Sequence, residues 1–226
     1  MPDALHPIRF PNETDEYRTA RDELLRAEIA LREQREQVAA LRRKLPCGGK
    51  VKEDYVFDEA RAGGGVTQTK LGDLFAPGKD SLILYSFMYG PEMKAACPMC
   101  TSFIDGMDRY ARHITERVNL AVVAKSPLAR IRAWADEREW NRVRLLSSEK
   151  NDYNTDYASQ TPEGNQIPAC NVFIKRDDGI FHFWNAETLY VSGQGHPRHV
   201  DLLWPIWNFF DLTPEGRGEW MPGLSY

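Results

Sequence analysis

The chain of 226 residues is long enough for one sizeable domain with an appendage, and its 42% hydrophobic and 27% charged residues make an ordinary globular mix. A net charge of −4 has the wrong sign for a surface that grips phosphate, which weighs against nucleic acid as a partner. No run of about 20 apolar residues could span a membrane, and Met1 to Glu16 lacks the basic and apolar regions of a secretory signal. A cytoplasmic location without a membrane partner is therefore expected.

From Thr14 to Leu45 the sequence predicts one long helix. Asn12 or Thr14 can cap it, and Asp15 and Glu16 suit the positive end of its dipole. Pro46, Gly48 and Gly49 stop it. Tyr17, Leu24, Leu31, Val38 and Leu45 recur every seventh residue, with Ala20, Ala27 and Leu41 between them and Gln34 as the one polar break. That is the seam of a coiled coil and predicts a homodimer through this helix; an amphipathic helix lying on its own domain shows the same pattern.

After Gly63-Gly64-Gly65 the pattern alternates between strands and helices. Ser81 to Phe87 and Asn119 to Ala124 read as buried parallel strands. Between them a helix follows Cys97-Pro98-Met99-Cys100, with Phe103, Met107, Tyr110, Ile114 and Val118 on one face. Pro127 to Trp140 reads as a helix capped by Ser126, and Arg144 to Leu146 as a short edge strand. Ser147 to Gln166 is polar and turn-rich, as a surface loop would be. Cys170 to Lys175 and Ile180 to Trp184 form a hairpin about Arg176-Asp177-Asp178-Gly179, and a last helix runs from His199 to Phe210. The fold class is α/β: a mixed sheet flanked by helices, with a long N-terminal helix. Residues 1–50 form a helical arm, 51–210 the domain and 211–226 a tail.

Of the four cysteines, Cys97 and Cys100 carry the chemistry. Cys97 falls where a helix begins, and there unpaired N–H groups and the dipole favour a thiolate, the species that attacks disulfides. Pro98 suits the first helical position, and Cys100, one turn on, can resolve the mixed disulfide. Zinc is the competing reading. It needs two more ligands, and Cys47, Cys170, His196 and His199 have no spacing that supplies them, so no metal and no cofactor are expected. Cys170 shares strand parity with Val172 and Ile174 and reads as a core thiol, and Cys47 as a bystander. His182 reads as an ordinary strand residue, and Trp204, Trp207, Phe209 and Phe210 as packing of the last helix.

The order SLILYSF, then CPMC opening a helix, then Ile167-Pro168 entering CNVFIK, resembles thioredoxin. More closely, the chain resembles a bacterial family of thioredoxin-like proteins designated domain of unknown function 899. That likeness includes the long first helix and the run Phe210-Asp211-Leu212-Thr213-Pro214-Glu215-Gly216-Arg217-Gly218-Glu219. The thioredoxin resemblance implies a cis Ile167–Pro168 bond facing the cysteines, with Ile167, Pro168, Pro98 and Met99 framing a protein or small-molecule disulfide or thiol. Ala95-Ala96 stands where thioredoxins carry Trp, and no buried proton-relaying acid can be picked out. Peroxiredoxins share the fold, but Lys94 occupies the place of their Thr. Three functions follow: a thiol–disulfide oxidoreductase, a peroxiredoxin-like peroxide reductase, or a non-catalytic binding module.

Overall fold

Thr14 sets the first element: its Oγ1 accepts the N–H of Tyr17 at 3.1 Å and so caps the helix α1, Asp15–Arg43. Asp15 and Glu16 lie in the first turn and Arg42 and Arg43 in the last, matching both ends of the dipole. No residue of α1 is buried, and Tyr17, Leu24, Leu31 and Leu41 are exposed. This computed structural model describes residues 5–60, 65–191, 198, 203–216 and 218–225. The chain divides into two compact units, Met1–Pro46 and Cys47–Tyr226.

The second unit carries β1 (Val56–Ala60), β2 (Val66–Lys70), β3 (Ser81–Ser86), α2 (Pro98–Thr115) and β4 (Asn119–Ala124). There follow α3 (Leu128–Glu137), β5 (Arg144–Ser147), α4 (Tyr153–Asp156), β6 (Ala169–Arg176), β7 (Gly179–Asn185) and α5 (Ile206–Phe210). The strands form one seven-stranded sheet in the order β2-β1-β5-β4-β3-β6-β7. β3, β4 and β5 are parallel; β6 returns antiparallel beside β3, and β7 beside β6. The result is a thioredoxin-like mixed sheet flanked by helices.

Both crossovers, through α2 and α3, step the same way across the parallel strands, so right-handed connection puts both helices on one face. There Phe103, Ile104, Met107, Ile131 and Ala135 pack against Tyr85, Leu120 and Val122. On the other face Leu82, Leu84, Val123 and Phe173 are covered by Tyr55, Tyr153 and the 3-10 turn Leu71–Leu74. β4 is buried along its whole length because alternate residues feed both cores. Asp108 of α2 ties that helix to the entry of β5. It is 1% exposed and accepts the N–H groups of Arg142 and Val143 at 2.8 and 3.0 Å and Arg142 Nη1 at 3.1 Å.

Several sequence expectations are corrected. β5 is an inner strand, because the hairpin β1–β2 adds to its free side, with Asp58 opposite Ser147. The Gly63-Gly64-Gly65 stretch falls in the connection of that hairpin, of which residues 61–64 lie outside the described residues. The segment expected as a surface loop after Ser147 instead contains α4, with Tyr153, Asn154 and Ser159 fully buried. Pro127, not Ser126, occupies the cap of α3, and Ser126 spends its carbonyl on the hydroxyl of Ser147. The last helix starts only after Pro205, whose ring cannot sit inside a helix. Of its expected range, 199–202 lie outside the described residues.

Candidate active site

The parallel strand β3 ends at Ser86, and its carboxyl end is where open α/β sheets place their chemistry. From there Phe87 to Ala96 leads to Cys97. Arg130 of α3 holds this connection. Its guanidinium donates to the carbonyls of Gly90 at 2.8 Å, Pro91 at 3.2 Å and Met93, and stacks over the Tyr89 ring at 4.1 Å. Cys97 N–H donates back to Met88 O at 3.1 Å, so the approach to α2 is tied at both ends.

Cys97 is the N-cap residue of α2, with an extended backbone (φ −64°, ψ 123°), and Pro98 opens the helix. Its sulfur accepts the N–H of Cys100 at 3.5 Å, as a capping serine oxygen would. Cys97 is half-buried, whereas Cys100 is 2% exposed. The two thiols are electrostatically linked. The Cys100 thiol donates to the Cys97 sulfur and, with the N–H groups of Cys100 and Met99, lowers its pKa to about 6 against an opposing burial cost. Burial, then the neighbouring Cys97 sulfur, pushes Cys100 well up.

A residue the sequence reading missed completes the arrangement. Tyr85 of β3 is buried, its ring edge-on to Phe103 with centroids 4.6 Å apart, and its hydroxyl works as a donor to lower the pKa of the Cys100 thiol against the larger effect of burial. The Met88 N–H acts on that thiol in the same direction. Burial and the nearby sulfurs raise the phenol well above its ordinary value, so it remains a proton donor. The signal was the parity of SLILYSF: Ile83, Tyr85 and Phe87 point to the α2 face, which puts a hydroxyl under the helix. Arg130 left no comparable signal, because its partners are carbonyls of a loop.

Ile167 and Pro168 are half-buried and enter β6 where its first residue, Ala169, pairs with Ser86. They therefore stand at the sheet end from which the cysteine loop leaves. Gln166 packs so closely on Gly90 that a β-carbon there would meet its Cγ at 2.7 Å. The Ile167–Pro168 bond, expected cis, is trans. Trans is the isomer favoured by about 0.5–1 kcal/mol for X–Pro bonds, and it suits an extended entry anchored by Ile167 N–H on Ser159 O at 2.9 Å. Cys170 is buried in the core and its pKa is pushed up to about 12 by burial; Cys47 is exposed. Trp204 and Trp207 are buried as core packing, but Phe209 is 63% exposed. Among the described residues no His, Cys, Asp or Glu side chains gather in a group of three suited to a metal ion. No helix among them is long and apolar enough to cross a membrane.

No curated protein matches the chain. Among solved structures, it is similar to the mitochondrial 2-Cys peroxiredoxin of Plasmodium falciparum, at TM-score 0.48 and 13% identity over 74% of this chain and 95% of that one. It is similar to Plasmodium yoelii thioredoxin peroxidase I, at TM-score 0.47 and 16% identity over 79% and 100%. It is also similar to peroxidoxin BcpB of Mycobacterium tuberculosis, at TM-score 0.45 and 17% identity over 71% and 95%. Scores and identities this low leave the chemistry to be argued from the site itself. A family model described as "Bacterial protein of unknown function (DUF899)" matches residues 7–225, and the chain belongs to that family.

Proposed function

We propose that the protein is a thiol–disulfide oxidoreductase in which Cys97 is the nucleophile and Cys100 the resolving thiol. The observation that carries this reading is the asymmetry of the pair: a half-exposed, acidified sulfur at the helix cap and a buried, proton-holding one behind it. The Cys97 thiolate attacks one sulfur of a substrate disulfide. A bond forms from Cys97 Sγ to that sulfur, and the other substrate sulfur leaves with the electron pair and takes a proton. Cys100 then loses its proton and attacks Cys97 Sγ. The Cys97–Cys100 disulfide forms, and the second substrate thiolate leaves and takes up a proton. Two electrons have passed from the protein dithiol to the substrate; the reverse sequence oxidises a dithiol.

Tyr85 and Met88 serve the second attack, because their donors stabilise the thiolate that Cys100 must become. Pro98, Met99, Ile167 and Pro168 frame the approach to Cys97, and the partner is a protein or small-molecule disulfide or thiol. A redox titration of the full chain, read by mass after alkylation, tests the reading. A two-electron couple that disappears in Cys97→Ser and in Cys100→Ser supports it. Thiols that never pair would overturn it and leave a binding scaffold.

A further inference from the structure

On the sheet face opposite α2 a cavity of about 770 Å³ opens over β6 and β7. Its floor is polar where a purely structural core would be apolar, as it is one step along β6 at Phe173. Asn171 is fully buried there, and its side-chain oxygen is doubly engaged: Asn185 Nδ2 donates at 2.6 Å and His182 Nε2 lies at 2.9 Å. An amide oxygen has no proton to give, so His182 carries its proton on Nε2 and Nδ1 is left as a lone-pair acceptor. Burial lowers the imidazole pKa, which keeps the ring neutral. Asn185 Oδ1 is a second acceptor, buried and without a hydrogen-bond partner among the described residues.

Several donors around the cavity are already used. Tyr55 donates to Asp156 Oδ2 at 2.6 Å and Tyr190 to Ala158 O at 3.4 Å. Lys52 donates to Asp156 at 3.1 Å and Lys50 to the carbonyl of Asp178. The rim charges, Lys50 and Lys52 against Asp156 and Glu187, balance. The walls are aromatic: Tyr157 stacks on His182 with centroids 5.7 Å apart at 30°, and Tyr55 stands edge-on to Tyr157 at 5.8 Å. The cavity thus offers flat apolar surface, unused acceptors and no net charge.

We propose that this cavity binds an uncharged planar aromatic compound bearing hydrogen-bond donors, of the class of hydroxylated or amino-substituted rings. The ring lies against the tyrosine walls, and its donors meet His182 Nδ1 and the Asn185 amide. This ligand would complete the hydrogen bonds that the fold leaves open.

Two probes that share a ring test the proposal: resorcinol, with two hydroxyl donors, and 1,3-dimethoxybenzene, with none. Each is titrated into the reduced full chain while the ring resonances of His182 are followed by NMR. Resorcinol is expected to bind saturably and about tenfold or more tighter than the dimethoxy compound, the size of one or two neutral hydrogen bonds. His182→Phe keeps a ring against Tyr157 and removes one of the two acceptors, so it should reduce the preference. Binding should be unchanged in Cys97→Ser, because the cysteines lie on the other face. Equal affinity for the two probes, no saturable binding of resorcinol, or an unaltered preference in His182→Phe would overturn the proposal. The comparison of probes on the unmodified protein decides the matter even where the variant does not fold.

Discussion

Tyr85 on β3 pairs in register with Cys170 on β6, and its hydroxyl works as a donor to lower the pKa of the Cys100 thiol. One strand position thereby brings a phenol near both a core thiol and the buried thiol of the pair. Removing the hydroxyl alone, in Tyr85→Phe, leaves the ring against Phe103 and takes a donor from the Cys100 thiolate. A hydrogen bond to a charged group contributes about 1.5–3 kcal/mol, so the resolving step should slow roughly tenfold or more. Reaction with an aromatic disulfide that releases a coloured thiolate separates the steps, since Cys97 releases the first equivalent and Cys100 the second. The second phase alone should slow. Two unchanged phases would remove Tyr85 from the mechanism, while a single phase in the unmodified protein would count against the dithiol itself.

The acidified Cys97 makes reactivity depend on pH in a defined direction. Its folded pKa, about 6, lies below the roughly 8.5 of a free thiol, so the thiolate contributes stability to the reduced fold above the free-thiol value. That contribution is lost as pH falls through about 6. Alkylation of Cys97 should be half-maximal near pH 6 and close to its plateau at neutral pH. Cys100→Ala removes the leading cause, the thiol donor, and should move the midpoint upward. A midpoint that stays put in this variant would assign the shift to the helix end alone.

Asp108 is the buried anion on which the packing of α2 depends. With its side chain 1% exposed and three donors on its carboxylate, Asp108→Ala leaves two backbone N–H groups and the Arg142 guanidinium without their acceptor. Loss of one partner of a buried pair costs about 3–5 kcal/mol, and chemical denaturation should show a fall of that order. Asp108→Asn keeps one acceptor oxygen and should cost less. A change under about 1 kcal/mol in the alanine variant would mean that water replaces the carboxylate.

For α1, we propose a homodimer seated on the seam of Tyr17, Leu24 and Leu31. A helix of 29 residues with none buried leaves its apolar line open, and an identical helix matches its spacing. Light scattering of the full chain should give twice the monomer mass at micromolar concentration, and Leu24→Lys with Leu31→Lys should return the monomer. A monomeric unmodified chain at that concentration would end the idea.

What could be read from the sequence is what depends on near neighbours. Thr14 three residues before Tyr17, a cysteine and a proline at a helix start, and the unbroken apolar run of NLAVVA each determine a local geometry that survives folding. The helix start at Cys97 and Pro98 and the order of the elements that support it were legible for this reason. The β1–β2 hairpin was not, because Val56–Ala60 and Val66–Lys70 are short, polar on one side and joined through a run of glycines. Without it β5 looked like an edge. The place of Ile167 depends on its N–H reaching Ser159 O, and the grip of Arg130 on Gly90 depends on where α3 comes to rest. The meeting of Tyr85, Cys100 and Cys170 depends on the register of two strands distant in sequence. Such contacts are chosen by the closest packing of whole faces and by the need to pair every strand edge, and no window of neighbouring residues contains that information.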